Sequence, residues 1–265
     1  MCQGSRGFGI RLSLGARADV SFRDDGTVNI WLDGLQSIAP VTRMAVECLA
    51  PGQGMDIRIE NDLPVSQGFG MSAAGALAAS LCVASATDQS RFKAFEAAHV
   101  AEVRCGGGLG DVAAIVAGGD IPVRAVAGMP PHGKVVSAPF RMEDLTLVVI
   151  GPVMKTDSVL NDARAVDRIR AASAGSMEAF LAEQTVDSLF EQSCRFSAGS
   201  GVESPAIRRA IQRLESKGFR AGMCMLGNSI FTDAPESDVW SLLGRGRVRT
   251  YPCSSSSREI LVRRA

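Results

Sequence analysis

Two glycine-rich loops, each running into a helical segment, carry the residues of this chain whose types and spacing suit chemistry. The first is Pro64-Val65-Ser66-Gln67-Gly68-Phe69-Gly70-Met71-Ser72-Ala73-Ala74. Gly68 and Gly70 let the backbone turn left-handed and leave room for a bulky group. The following helix offers N–H groups with no intrahelical partner and a partial positive charge of roughly +0.5. Such a loop is either a tight strand-to-helix turn or a cradle for an anion, phosphate first among them. Its candidate contacts are Ser66, Gln67, Gly68, Phe69, Gly70, Met71, Ser72 and Ala73. It lacks the Gly-Lys-Ser/Thr ending of a Walker A loop and the third glycine of a dinucleotide fingerprint.

The second loop, Gly106-Gly107-Gly108-Leu109-Gly110-Asp111, also enters a helix. Asp111 has two readings. It caps its own helix, a place Asp favours, or it is a general base facing an alcohol; capping would orient it for that task. The helix before this loop sets Phe92, Phe95, His99 and Glu102 at three- and four-residue steps, on one face. A carboxylate there either reaches the rim or is buried with a partner or a cation. His99 reads as a hydrogen-bonded structural histidine. With only His132 besides, and no Gly-x-Ser-x-Gly elbow, a Ser-His-Asp hydrolase is disfavoured.

These groups need a scaffold. Ile10 to Phe22 alternates as a strand, and Asp24-Asp25-Gly26 predicts a hairpin to Val28–Leu32. Val41 to Leu49 reads as a helix ended by Ala50-Pro51-Gly52. Met55 to Ile59 is a strand feeding the first loop. Helices follow from Met71 to Ala86, from about Ser90 to Arg104, and from Asp111 onward. Leu145 to Ile150 is a buried strand, broken by Gly151-Pro152. After a helix-rich stretch, roughly Ser158 to Ser216, two strands flank the Gly227-Asn228 turn. Arg247–Tyr251 and Glu259–Arg263 read as edge strands. This order predicts an α+β chain with units 1–140 and 141–265.

Composition narrows the classes. The 265 residues are 46% hydrophobic, enough for a substantial core. Lys+Arg and Asp+Glu are both 28, so no basic excess points to nucleic acid. None of the seven cysteines forms a Cys-x-x-Cys pair, which argues against zinc or a disulfide framework and suits the cytoplasm. The first residues have no apolar signal core. The serine-broken run from Met71 to Ala86 reads as a buried helix, not a membrane span.

The first loop resembles the second motif of the GHMP kinases, with Phe69 in place of Leu and Met71 in place of the first Ser. Gly108-Leu109-Gly110-Asp111 is similar to their Gly-x-Asp. Gly4-Ser5-Arg6-Gly7, Gly151-Pro152-Val153-Met154-Lys155 and Met225-Leu226-Gly227-Asn228-Ser229 narrow the resemblance to the archaeal pantoate kinase branch, along essentially the whole chain. That resemblance implies a ribosomal S5 domain 2-like N-terminal half and a ferredoxin-like C-terminal half. It implies ATP-dependent phosphorylation of the primary hydroxyl of (R)-pantoate, on the route to coenzyme A. It assigns residues 66–73 to the ATP phosphates, Ser72 and Glu102 to Mg²⁺, and Asp111 to the role of catalytic base. Arg6 is either a solvated loop arginine or a clamp for the pantoate carboxylate, and Lys155 has the same two readings.

A first strand and motif of this family would precede Gly4, so an edge strand is expected to be missing and substrate binding with it put in question. Partners expected are ATP and a small hydroxy acid, with a homodimer possible. The alternatives are a shikimate or homoserine kinase, a non-catalytic nucleotide-binding paralogue, and a structural interaction protein.

Overall fold

The computed structural model describes residues 4–154 and 162–264. The chain runs β1 (Gly7–Phe8), β2 (Ala16–Arg23), β3 (Val28–Leu32), β4 (Leu35–Gln36), α1 (Pro40–Leu49) and β5 (Gly54–Asn61). Then come α2 (Met71–Ala86), α3 (Arg91–Arg104), α4 (Asp111–Ala117), β6 (Pro122–Val126), β7 (Lys134–Ser137) and β8 (Leu145–Val149). The rest is α5 (Ala163–Ala182), α6 (Val186–Ser200), α7 (Pro205–Glu215), β9 (Ala221–Met223), β10 (Ser229–Thr232), α8 (Glu236–Leu243) and β11 (Arg249–Cys253).

The strands make three sheets, ordered β2-β5-β3-β4, β1-β6-β7 and β11-β8-β10-β9. The third is antiparallel throughout. Its fourth, first, third and second strands lie side by side, the ferredoxin-like arrangement expected of this half. Both faces of β8 are covered: Leu145 and Leu147 join one apolar cluster, Val148 another. That is why its sequence is a continuous apolar run rather than an alternating one.

Three strand readings change. The hairpin predicted across Asp24-Asp25-Gly26 does not form, because β5 inserts between β2 and β3, antiparallel to one and parallel to the other. β3 pairs instead with β4 through Asp33-Gly34, both at positive φ (50° and 82°), the backbone a two-residue hairpin requires. The strand read from Ile10 starts only at Ala16. Glu259–Arg263 is not a strand: Ile260 and Val262 lie against the cluster formed by α2, α3 and α4, and the Ile260 carbonyl accepts from Arg91.

The buried α2 is the axis of the first half. It packs on β2 and β5 and is flanked by α1 and α3. Gly75 permits the close approach, since a Cβ there would stand 3.3 Å from Ile59. Small residues on every side let all these neighbours come near. No described helix is long and apolar enough to cross a membrane.

Candidate active site

β5 delivers the chain to the first glycine loop, and Gly70 (φ 69°) caps α2 with no side chain on its end. The first turn therefore presents the N–H groups of Met71, Ser72 and Ala73 without helical acceptors; the Ala74 N–H is the first to bond, to the Gly70 carbonyl at 3.0 Å. Met71 and Ala73 send their side chains into the core. The Phe69 ring sits edge-on to Tyr251, with centroids 6.5 Å apart. Met71 and Ala73 can contact a ligand only through backbone. Ser66, Gly68 and Ser72 are exposed. The loop thus offers a helix N-terminus and the Ser72 hydroxyl.

The second loop brings Asp111 against the first. A Cβ on Gly70 would lie 3.5 Å from Asp111 Oδ2, and one on Gly108 would collide with the same oxygen. Asp111 is the first residue of α4 and does not cap it; the cap residue is Gly110, with no side-chain bond of its own. Glu102 reaches over from α3 instead, its Oε2 accepting from the Val112 N–H at 3.4 Å. The Asp111 carboxylate is thereby left for other work.

Glu102 is 1% exposed, so it does not reach the rim. Burial first, and then the neighbouring Asp111 charge, push its carboxyl up to about 8 against the opposing effects of the Val112 N–H and Arg124. Burial raises Asp111 as well, and Arg124 opposes it. Arg124 belongs to none of the sequence motifs. It stands on β6, opposite Gly7, and its Nε donates to the Ser5 carbonyl at 3.2 Å. The signal was there: one arginine inside the apolar run Ile121-Pro122-Val123-Arg124-Ala125-Val126.

The remaining motifs converge on these loops. The Ser5 N–H donates to the Leu109 carbonyl at 3.0 Å, so exposed Arg6 adjoins the second loop. The β9–β10 turn packs backbone to backbone on the first loop: a Cβ on Gly68 would lie 2.7 Å from the Met225 carbonyl oxygen, and one on Gly227 would overlap the Gln67 carbonyl. Asn228 Nδ2 donates to the Pro152 carbonyl at 2.8 Å, and the Met154 N–H to the Ser66 carbonyl at 3.1 Å. Lys155 lies outside the described residues.

The donor set suits a divalent cation, although no group of three metal-ligating side chains stands together among the described residues. Glu102 Oε1 is buried with no hydrogen-bond partner, next to a second carboxylate. A cation there would satisfy the bare oxygen and relieve both raised carboxyls.

A family model described as the GHMP kinases N terminal domain matches residues 39–119. The pantoate kinase of Thermococcus kodakarensis is 30% identical over 241 residues, 86% of this chain and 78% of its own. The chain belongs to the pantoate kinase family. A second member, the pantoate kinase of Methanocaldococcus jannaschii, is 25% identical over 177 residues, 66% of this chain and 63% of that one. A solved phosphotransferase related to the CoA biosynthesis pathway superposes with a TM-score of 0.83 at 26% identity, over 96% of this chain and 88% of its own. The mevalonate kinase of Methanococcus jannaschii (TM-score 0.70, 14% identity, 96% and 92% covered) shares the fold. This pantoate kinase relative is therefore a phosphotransferase of the GHMP kinase fold, with ATP as its phosphoryl donor.

Proposed function

We propose that the chain transfers the terminal phosphoryl group of ATP to the primary hydroxyl of (R)-pantoate, giving (R)-4-phosphopantoate. The observation that carries this reading is the Asp111 carboxylate facing Gly70, where a Cβ would bring the two into contact, at the mouth of a helix N-terminus with no side-chain cap. Phosphate held by the first turn of α2 would face a base placed to receive an alcohol proton. As the pantoate oxygen bonds to phosphorus, its proton passes to Asp111, and the bond from phosphorus to the ADP oxygen breaks. Arg124 opposes the burial that pushes the Asp111 carboxyl upward, and Arg6 supplies a cation for the pantoate carboxylate. Ser72 and Glu102 would hold Mg²⁺, which neutralises phosphate charge when bound. The division into units 1–140 and 141–265 belongs to the same reading, supported by sheets that draw their strands from one side of residue 140 or the other. So does a cytoplasmic setting, supported by free thiols at Cys48, Cys82, Cys105, Cys194, Cys224 and Cys253.

ADP release with (R)-pantoate, L-homoserine and shikimate offered in parallel tests the assignment. Turnover with pantoate alone is expected. Preference for either other alcohol would transfer the chain to that kinase class, and nucleotide binding without turnover would make it a non-catalytic paralogue.

Two substitutions probe the carboxylates. Glu102→Gln is expected to raise the magnesium concentration needed for half-maximal rate, and an unchanged titration would remove Glu102 from the metal. It should also flatten stability against pH. A carboxyl raised from 4.5 to about 8 holds its proton in the folded chain after the unfolded chain has lost it. Stability from this group therefore falls as pH rises through that window. Thermal melts between pH 5 and 8, without metal, should slope less in the variant. Arg124→Met should move the acid limb of the pH–rate profile upward, because Asp111 loses the cation that opposes its burial. A limb that stays in place would show Arg124 to be structural only.

A further inference from the structure

The first glycine loop is gripped by two loops from the other half of the molecule, and Gln67 is the side chain at the centre of that grip. Its Nε2 donates to the Gly151 carbonyl at 3.2 Å. Its own carbonyl accepts from Ser229 Oγ at 2.5 Å and is overhung by Gly227. Gln67 is 1% exposed, and its Oε1 has no hydrogen-bond partner. A bare buried acceptor costs stability, whereas an apolar side chain of similar size would fill the space without that cost. The joint carries further strain, since Ser66 (φ 58°) and Leu226 (φ 60°) are non-glycine residues in the left-handed region. Packing alone gives no reason for a glutamine here. The far end of the same loop, at Gly70, faces Asp111, whose Oδ2 lies 3.5 Å from where a Cβ would stand.

We propose that Gln67 is a positioning residue for phosphoryl transfer. Anchored to Gly151, its carboxamide fixes where the loop, and with it the first turn of α2, stands relative to Asp111. The inference rests on the functional reading above, in which the loop holds the ATP phosphates and Asp111 receives the pantoate proton. Its physical basis is geometric: a displacement of about 1 Å between reacting groups costs on the order of 10²-fold in rate without any contact to substrate being lost. A brace that sets this distance therefore acts on kcat more than on binding.

The test is Gln67→Met, which keeps the volume and removes both the donor and the bare acceptor. We expect kcat with ATP and pantoate to fall about tenfold or more. The KM for ATP should change less than about threefold, and Tm should stay within a few degrees of the parent, because the lost hydrogen bond and the relieved acceptor offset each other. Ser229→Ala, which frees the Gln67 carbonyl from the same joint, should show the same split and carries the test if Gln67→Met folds poorly. A kcat within twofold of the parent in both variants would overturn the proposal. So would a loss of activity that only tracks a large fall in Tm, or a rise in the KM for ATP at unchanged kcat. A parent chain with no turnover of any hydroxy acid is a different result: it would overturn the functional reading, and this inference with it.

Discussion

Asp111→Asn is expected to lower turnover by about 10²-fold or more, the scale of a lost general base. The side chain keeps its shape, so the nearby glycines at 70 and 108 still clear it. Because Glu102, not Asp111, caps α4, the helix keeps its terminal hydrogen bond and Tm should hardly move. Nucleotide affinity should also survive, since the first turn of α2 is untouched. The parent enzyme should lose activity as acid protonates Asp111, whose carboxyl burial pushes upward. The residual activity of the variant should not show that limb. Steady-state ADP release across pH, with thermal melts of both proteins, checks this. Near-normal turnover in the variant would leave Asp111 with no chemical role.

Gly227→Ala is the second large effect. A Cβ at this position would overlap the carbonyl of Gln67 and stand 2.6 Å from the Gly68 nitrogen. Both neighbours are backbone, so no flexible side chain can swing away. Overpacking of this kind costs about 3 kcal/mol, which for a chain of this size lowers Tm by roughly 6–12 °C. The damage should also reach the chemistry, because the displaced loop carries the first turn of α2 toward or away from Asp111. A fall in kcat of tenfold or more is expected at temperatures where the variant is folded. Unchanged melting and unchanged turnover would mean that the β9–β10 turn does not rest on the glycine loop.

Legibility followed the range of the interactions. Local signals were reliable: α2 spans Met71–Ala86 as read, Ser90 caps α3 by accepting from Lys93, and α4 begins at Asp111. Pairing was not. β2 and β3 are near in sequence and look like a hairpin, yet β5 arrives from beyond α1 to lie between them. The Asp33-Gly34 turn is the short-range signal of the hairpin that does form. Glu259–Arg263 has the apolar, β-branched run of an edge strand, but Ile260 and Val262 serve a helical surface rather than a sheet. β6 and Arg124 leave only a weak mark in the sequence, one charge in a short apolar run, which has no period.

By itself, the sequence determined the chemical vocabulary of this protein: a glycine loop ahead of a helix, an aspartate after a second glycine loop, and a glutamate on the apolar face between them. Those follow from backbone freedom and helical spacing, which are properties of neighbouring residues. Only the tertiary structure decided how they are used. It gave the capping of α4 to Glu102 and so released Asp111, and it set Asp111 against Gly70. It brought Arg124 beside both carboxylates and seated the first loop on the β9–β10 turn. The physical reason is that burial and charge coupling depend on distances between segments far apart in the chain, and a carboxyl's protonation follows those distances rather than its place in the sequence.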